Sequence, residues 1–170
     1  MSTPNFIQES DFVGQIELVY CDGFPLDFAA QVEAQEMEKL LGYHLYALAK
    51  AAPTTKKYDD LLNGTTWTDA DGVVKKHEGI IKIVAYLFYY QYVRDLIAKI
   101  TSGGLVIPIN DEGEPTKQGL TLKAVRAYAI AAEYYQKTIE FIYFKNDETA
   151  DYYEEFQPFE MVLNTNTWGI

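Results

Sequence analysis

Residues 79–100 read GIIKIVAYLFYYQYVRDLIAKI, and this stretch decides the fold. It has no proline and no glycine after Gly79, so nothing in it stops a helix. At helical spacing Ile81, Val84, Ala85, Phe88 and Tyr92 form one flank. Tyr86, Tyr89, Tyr90, Val93, Leu96, Ile97 and Ile100 form another. A helix that is apolar on several sides belongs at the centre of a domain, with neighbours around it. Its length would suit a membrane span, but Lys82, Arg94, Asp95 and Lys99 interrupt it, and charge inside a bilayer is costly. The stretch predicts the core helix of a mainly α domain.

Toward the N-terminus, Thr65 to Thr68, the turn Asp71-Gly72 and Val73-Val74 read as a β-hairpin that leads into the core helix. Before it, Thr55 to Leu62 reads as a short helix stopped by Asn63-Gly64. A longer helix is predicted from Asp27 to just short of Pro53. Met37, Leu40, Leu41, His44, Leu45 and Leu48 make its apolar stripe, and Glu33, Glu36, Glu38 and Lys39 lie away from it. Gly42 lies inside that helix as a local weakness of up to about 1 kcal/mol relative to Ala. Residues 1–26 fit a short helix capped by Ser10-Asp11 or a strand, and the pattern does not choose between them.

Toward the C-terminus, Thr101 to Gly104 should end the core helix, and LVIPIN should form a short edge piece because of Pro108. A last long helix follows from about Lys117 to Lys145. Its stripe is Val125, Tyr128, Ala129, Ala132, Tyr135, Ile139, Ile142 and Tyr143. The acidic stretch Asp147 to Phe156 suits a further short helix, and the residues after it an extended arm. The whole is one domain over 1–170, with a helical body at about 10–145 and the acidic segment and arm at 146–170. The expected architecture is a compact bundle of about four helices with a small β-hairpin and extended terminal arms.

The formal net charge is −11, with 25 acids against 14 lysines and arginines. Such a balance argues against general nucleic-acid binding and against adsorption to anionic membranes. It is uneven: Asp147, Glu148, Asp151, Glu154, Glu155 and Glu160 fall in 146–170, which has no Lys or Arg. The chain's 14 tyrosines suit wet cores and interfaces. Cys21, the only cysteine, reads as a small buried hydrophobe in a reducing compartment. The first residues show no signal-peptide pattern, so assembly in a cytosol is expected.

Motifs for chemistry are weak. A calcium-loop register can be laid on Asp69, Asp71, Gly72 and Glu78, but Trp67 then takes the first ligand position and offers no oxygen, so a polar turn is the better reading. His44, on the apolar stripe, reads as a hydrogen-bonded boundary or core residue, and His77 as part of a charged turn. No HExxH, GxSxG, P-loop or GxGxxG is present. The expectation is a protein without catalytic residues, cofactor or metal.

Several landmarks occur in order: Leu40-Leu41-Gly42 with Leu45-Tyr46, then Tyr58-Asp-Asp-Leu-Leu-Asn-Gly64. Gly79 follows, opening the helix with Tyr86, Tyr89 and Tyr90, and then Thr101 to Val106 and the last helix. From about Ser10 to Lys145 this order resembles the small helical adaptors, or head–tail connectors, of tailed bacteriophages. The likeness is greatest to the form found in phages and prophages of gut Bacteroidota. The resemblance implies a virion structural protein made in the bacterial cytoplasm. Such a protein forms a ring, commonly twelve-fold, between the portal and other neck or tail proteins, and carries no catalytic residues. It implies no sequence-specific nucleic-acid binding and no membrane.

The acidic segment and the arm extend beyond the resemblance. In the arm Phe159, Met161 and Leu163 alternate with Glu160, Val162 and Asn164, a strand-like half-apolar pattern, and Trp168 and Ile170 follow the polar run Asn164 to Thr167. These five are the expected partner contacts, because a Trp gains most when docked. The main rival is a helical protein-binding or regulatory module of a phage or mobile element, and a small hydrolase is a more distant one.

Overall fold

A computed structural model describes residues 5–16, 18, 24–103, 117–150, 152, 153 and 156–161. Five helices and one hairpin follow in the order α1 (Leu26–Leu41), α2 (Tyr43–Ala51), α3 (Lys56–Asn63), β1 (Thr65–Thr68), β2 (Val74–His77), α4 (Ile80–Gly103) and α5 (Lys117–Glu148). This is a mainly helical protein with a small antiparallel hairpin, as the sequence implies. The hairpin pairs Thr65 with His77 and Thr68 with Val74. Among the described residues no helix is long and apolar enough to cross a membrane.

The apolar run of α4 is the centre of the core. Ile80, Ile83, Val84 and Phe88 are wholly buried, and Ala85, Leu87, Tyr89, Tyr90 and Val93 nearly so. Its principal neighbour is α5, which runs antiparallel to it: Tyr86 meets the ring of Tyr134 at 5.8 Å, and Tyr90 meets Tyr128 at 5.0 Å. The buried face of α5 is Leu120, Ala124, Ala127, Ala131, Tyr135, Ile139 and Ile142. Of the predicted stripe Tyr135, Ile139 and Ile142 are buried, but Ala129 and Tyr143 are exposed, and Ala124, Ala127 and Ala131 line the close approach to α4.

Phe88 gathers the N-terminal region. The rings of Phe12, Phe28 and Phe24 lie 4.9, 5.2 and 5.9 Å from it. In the described part of 1–26 the chain forms two 3₁₀ turns, Glu9–Asp11 and Gly14–Ile16. Ser10 and Asp11 sit within the first turn and do not cap a helix. Asp11 instead accepts a hydrogen bond from the Gln8 N–H at 2.7 Å.

The element boundaries differ from the expectations in several places. The predicted long helix is two helices, because Gly42 adopts φ 77° and ψ 155° between them. That break ends the stripe, so His44 is exposed and Leu48 partly so, while Leu45, Tyr46 and Ala49 turn inward. Asp27 lies inside the first turn of α1, with Pro25 at the cap position. The core helix runs through Thr101 and Ser102 to Gly103, and α5 extends to Glu148. No helix follows α5 among the described residues, where Tyr152 and Tyr153 form a turn. Cys21, the segment LVIPIN with Pro108, and the residues after Met161 lie outside the described residues.

Two glycines set the junction of α3, hairpin and α4. Gly64 (φ 86°) and Gly79 (φ 84°) lie backbone to backbone. A Cβ on Gly79 would collide with the Leu62 carbonyl oxygen, and one on Gly64 with the backbone at His77 and Glu78. Only glycine satisfies both the conformation and the contact.

Candidate functional site

A cleft of about 420 Å³ lies where α1, α4 and α5 meet the root of the C-terminal arm. Its centre is Glu36, only 6% exposed although the sequence pattern placed it on a solvated face. The carboxylate accepts hydrogen bonds from Gln91 Nε2 at 2.7 Å and from Lys39 Nζ at 3.1 Å. Around it stand Tyr90, Arg94 and Asp95 of α4 and Tyr128 of α5. The Arg94 guanidinium lies 5.5 Å from the Tyr90 ring centre. Burial, then the nearby Tyr90 and Glu36, raises the Tyr128 hydroxyl above the usual tyrosine range. The cleft is a mixed-charge surface whose cations and rings already engage one another.

The arm closes one side of this cleft. Tyr135, wholly buried, donates its hydroxyl to the Leu40 carbonyl at 2.7 Å and accepts the Phe159 N–H at 3.0 Å. Lys39 Nζ lies 5.5 Å from the Phe159 ring centre, and Met161 packs against the core. Of the expected partner contacts, Phe159 and Met161 therefore rest on their own body, with Phe159 still 38% exposed. Leu163, Trp168 and Ile170 lie outside the described residues.

Glu33 is the second misjudged acid. It is wholly buried, and its carboxylate accepts the N–H groups of Asn5 at 2.8 Å, Phe6 at 2.7 Å and Ile7 at 2.9 Å, with Asn5 Nδ2 at 3.1 Å. Periodicity could not reveal this, because the donors are backbone groups 26 to 28 residues away. The signal missed was the acid itself, two turns into an amphipathic helix beside an irregular segment with unpaired donors.

His77 is not in a charged turn: it ends β2 and is wholly buried. Its ring stacks on Phe141 at 4.3 Å and lies 5.9 Å from the Trp67 ring. Nδ1 is 3.5 Å from Thr138 Oγ1, and Nε2 has no hydrogen-bond partner among the described residues. Burial depresses its pKa to about 4, against a small opposing pull from Glu78.

At the hairpin turn Asp69 Oδ1 accepts the N–H groups of Asp71 at 3.1 Å and Val73 at 2.9 Å, and Lys75 Nζ lies 3.5 Å from Oδ2. These contacts, the Val73 N–H foremost, hold the Asp69 carboxyl below its usual range. Glu78 pairs instead with Lys82 at 2.7 Å and Lys76 at 2.9 Å. The structure therefore does not bring Asp69 and Glu78 together around one centre. Among the described residues no group of three or more His, Cys, Asp or Glu side chains could hold a metal ion.

At the far end of α5, Tyr153 donates its hydroxyl to the Lys57 carbonyl at 2.7 Å, and its N–H to Asn146 Oδ1 at 2.7 Å. Lys57 Nζ lies 5.3, 5.0 and 5.5 Å from the ring centres of Tyr58, Tyr152 and Tyr153. This fastens the acidic segment to α3.

Residues 37–158 match the family of unknown function DUF6712, and the chain belongs to that family. No curated protein and no solved structure matches it. The matched region begins in α1 and ends at the root of the arm, so it takes in the glycine junction and most of the body, while Glu36 and Phe159 to Met161 of the cleft lie just outside it.

Proposed function

We propose that the chain is a virion structural protein: an adaptor subunit that forms a ring between portal and tail in a phage neck, around a channel for DNA. The observation that carries this reading is where the landmarks of the connector resemblance fall in the body. Gly42 is the break between α1 and α2, and Gly64 and Gly79 are the joint between α3 and α4. Tyr86 and Tyr90 are the rungs between α4 and α5. The likeness thus lies in the joints that fix the helices, which is what a subunit presenting set faces to its neighbours requires.

Composition supports the same reading. A chain of net charge −11 repels phosphates, so a channel wall built from it would let DNA slide. On this reading Phe159 and Met161 anchor the root of the arm, and Leu163, Trp168 and Ile170 reach the portal or a neighbour. Native mass spectrometry of the full chain, alone and with portal protein, tests the proposal. A ring mass and a portal-bound species are expected. A chain that stays monomeric and ignores the portal would sink it.

A further inference from the structure

Charge is distributed along α5 in a way that one copy cannot satisfy. Lys39, Lys75, Lys76, Lys82, Lys137 and Lys145 each lie within ion-pair distance of a carboxylate. Lys123 and Arg126, one turn apart on α5, are exposed and, like Lys50 and Lys56 elsewhere, have no such partner among the described residues, in a chain with 25 acids. They border a small cleft of about 130 Å³ lined by Ile16, Tyr86 and Ala127. Leu122, on the same side of the helix as Arg126, is 61% exposed. The patch is basic at its rim and apolar at its floor.

The other end of α5 is the reverse. Asp147 and Glu148 are exposed in its last turn, and Asp151, Glu154 and Glu155 follow in sequence. Acids at a helix C-terminus face the negative end of the helix dipole, an arrangement that disfavours the isolated helix. Lys145, paired with Glu148 at 2.6 Å, offsets only part of it. At a rise of about 1.5 Å per residue, Arg126 and Asp147 are about 30 Å apart along α5. The two patches of one copy therefore cannot meet.

We propose that the cleft at Lys123 and Arg126 is the docking surface for the acidic C-terminal end of α5 in a second copy of this chain. Because two different patches meet, the contact is head-to-tail, the kind that closes into rings when the rotation between copies allows. A nucleic-acid phosphate could meet the same two cations, but a polyanion is repelled by the whole chain, whereas a short acidic segment brings few charges. The biological meaning of this interface rests on the ring reading above, while its test does not.

The experiment is sedimentation velocity on the full-length wild type, K123E/R126E, D147K/E148K and an equimolar mixture of the two variants. Wild type should associate, and each variant alone should associate at least about 100-fold more weakly. The mixture should regain assembly, since the two unaltered faces still pair and the two reversed faces are again of opposite charge. Both variants should melt close to wild type, because the altered side chains are exposed. K123Q/R126Q, which only removes charge, should fall between, and 1 M salt should weaken wild-type association. Variants that assemble like wild type, or a wild type that is monomeric throughout, overturn the interface. So does K123E/R126E that assembles normally but loses binding to duplex DNA. Co-sedimentation with portal protein separates the two claims. Portal binding by a monomeric wild type would sink this interface and spare the adaptor reading. Head-to-tail assembly without portal binding would do the opposite.

Discussion

Glu33 and His77 are equally buried, at 0% exposure, and their surroundings could hardly differ more. Both oxygens of Glu33 are occupied, receiving three backbone N–H groups and one side-chain amide. His77 has a single distant hydroxyl at Nδ1 and nothing at Nε2, and is held by the rings of Phe141 and Trp67. The difference shows that burial does not define the job of a polar side chain; the count of partners does. Glu33 is a fastener that fixes residues 5–7 to α1. His77 is a flat ring filling an aromatic slot, and its unmatched nitrogen is a liability.

The sharpest way to break this contrast is Glu33→Ala. It should cost about 3–4 kcal/mol, since hydrogen bonds to a charged group are worth about 1.5–3 kcal/mol each and several buried donors lose their acceptor. Thermal melting should fall by about 6–15 °C, with Glu33→Gln falling less. A loss under about 1 kcal/mol would show that the N-terminal segment is held by Phe12 and Phe88 alone.

Acid should expose the liability at His77. Its folded pKa is depressed to about 4 from 6.5, so below pH 6.5 the unfolded chain binds the proton first. Stability from this group is intact above pH 6.5, falls as pH drops toward about 4, and levels off below that. The total is about 3 kcal/mol. Denaturant midpoints for wild type and His77→Phe across this range measure it. If the two pH profiles are parallel, His77 is not the group responsible.

At pH 7 the same His77→Phe change should be neutral or stabilising by up to about 1 kcal/mol, because replacing an unpaired polar atom with carbon removes its desolvation cost. An effect of similar size and opposite sign should come from Tyr135→Phe. It removes the hydroxyl shared by Leu40 and Phe159 and should cost about 1 kcal/mol. It should also speed amide exchange at Phe159 while leaving Ile7 unchanged.

Much of the fold was legible. Unbroken apolarity marked α4, and Asp71-Gly72 between β-prone runs marked the hairpin. The break at Gly42 was not, because a glycine at positive φ reads the same in sequence as one tolerated within a helix. The buried face of α5 was legible at Tyr135, Ile139 and Ile142 and missed at Ala124, Ala127 and Ala131, because alanine carries a weak hydrophobic signal while the exposed Tyr143 carries a strong one. The two histidines exchanged roles for a related reason. The Gly42 break moved His44 off the core face, and the hairpin register carried His77 onto Phe141, a residue distant in sequence. The acids Glu33 and Glu36 were illegible, since their partners lie on other elements. Candidate surfaces suffered most, because Glu36, Gln91, Tyr128 and Phe159 meet only once α1, α4, α5 and the arm are packed together.

The touching backbones of Gly64 and Gly79 have a practical consequence. They close a loop whose two ends enter and leave the body at one point, and whose tip, Ala70 to Val73, is exposed. A loop pinned at its base transmits little of what happens at its tip, and lengthening such a loop costs only slowly growing closure entropy. A peptide epitope or a fluorophore-binding tag spliced between Asp71 and Gly72 would stand clear of the helices. It would give each copy a visible marker for imaging or pull-down without touching the core, the cleft or either end of α5.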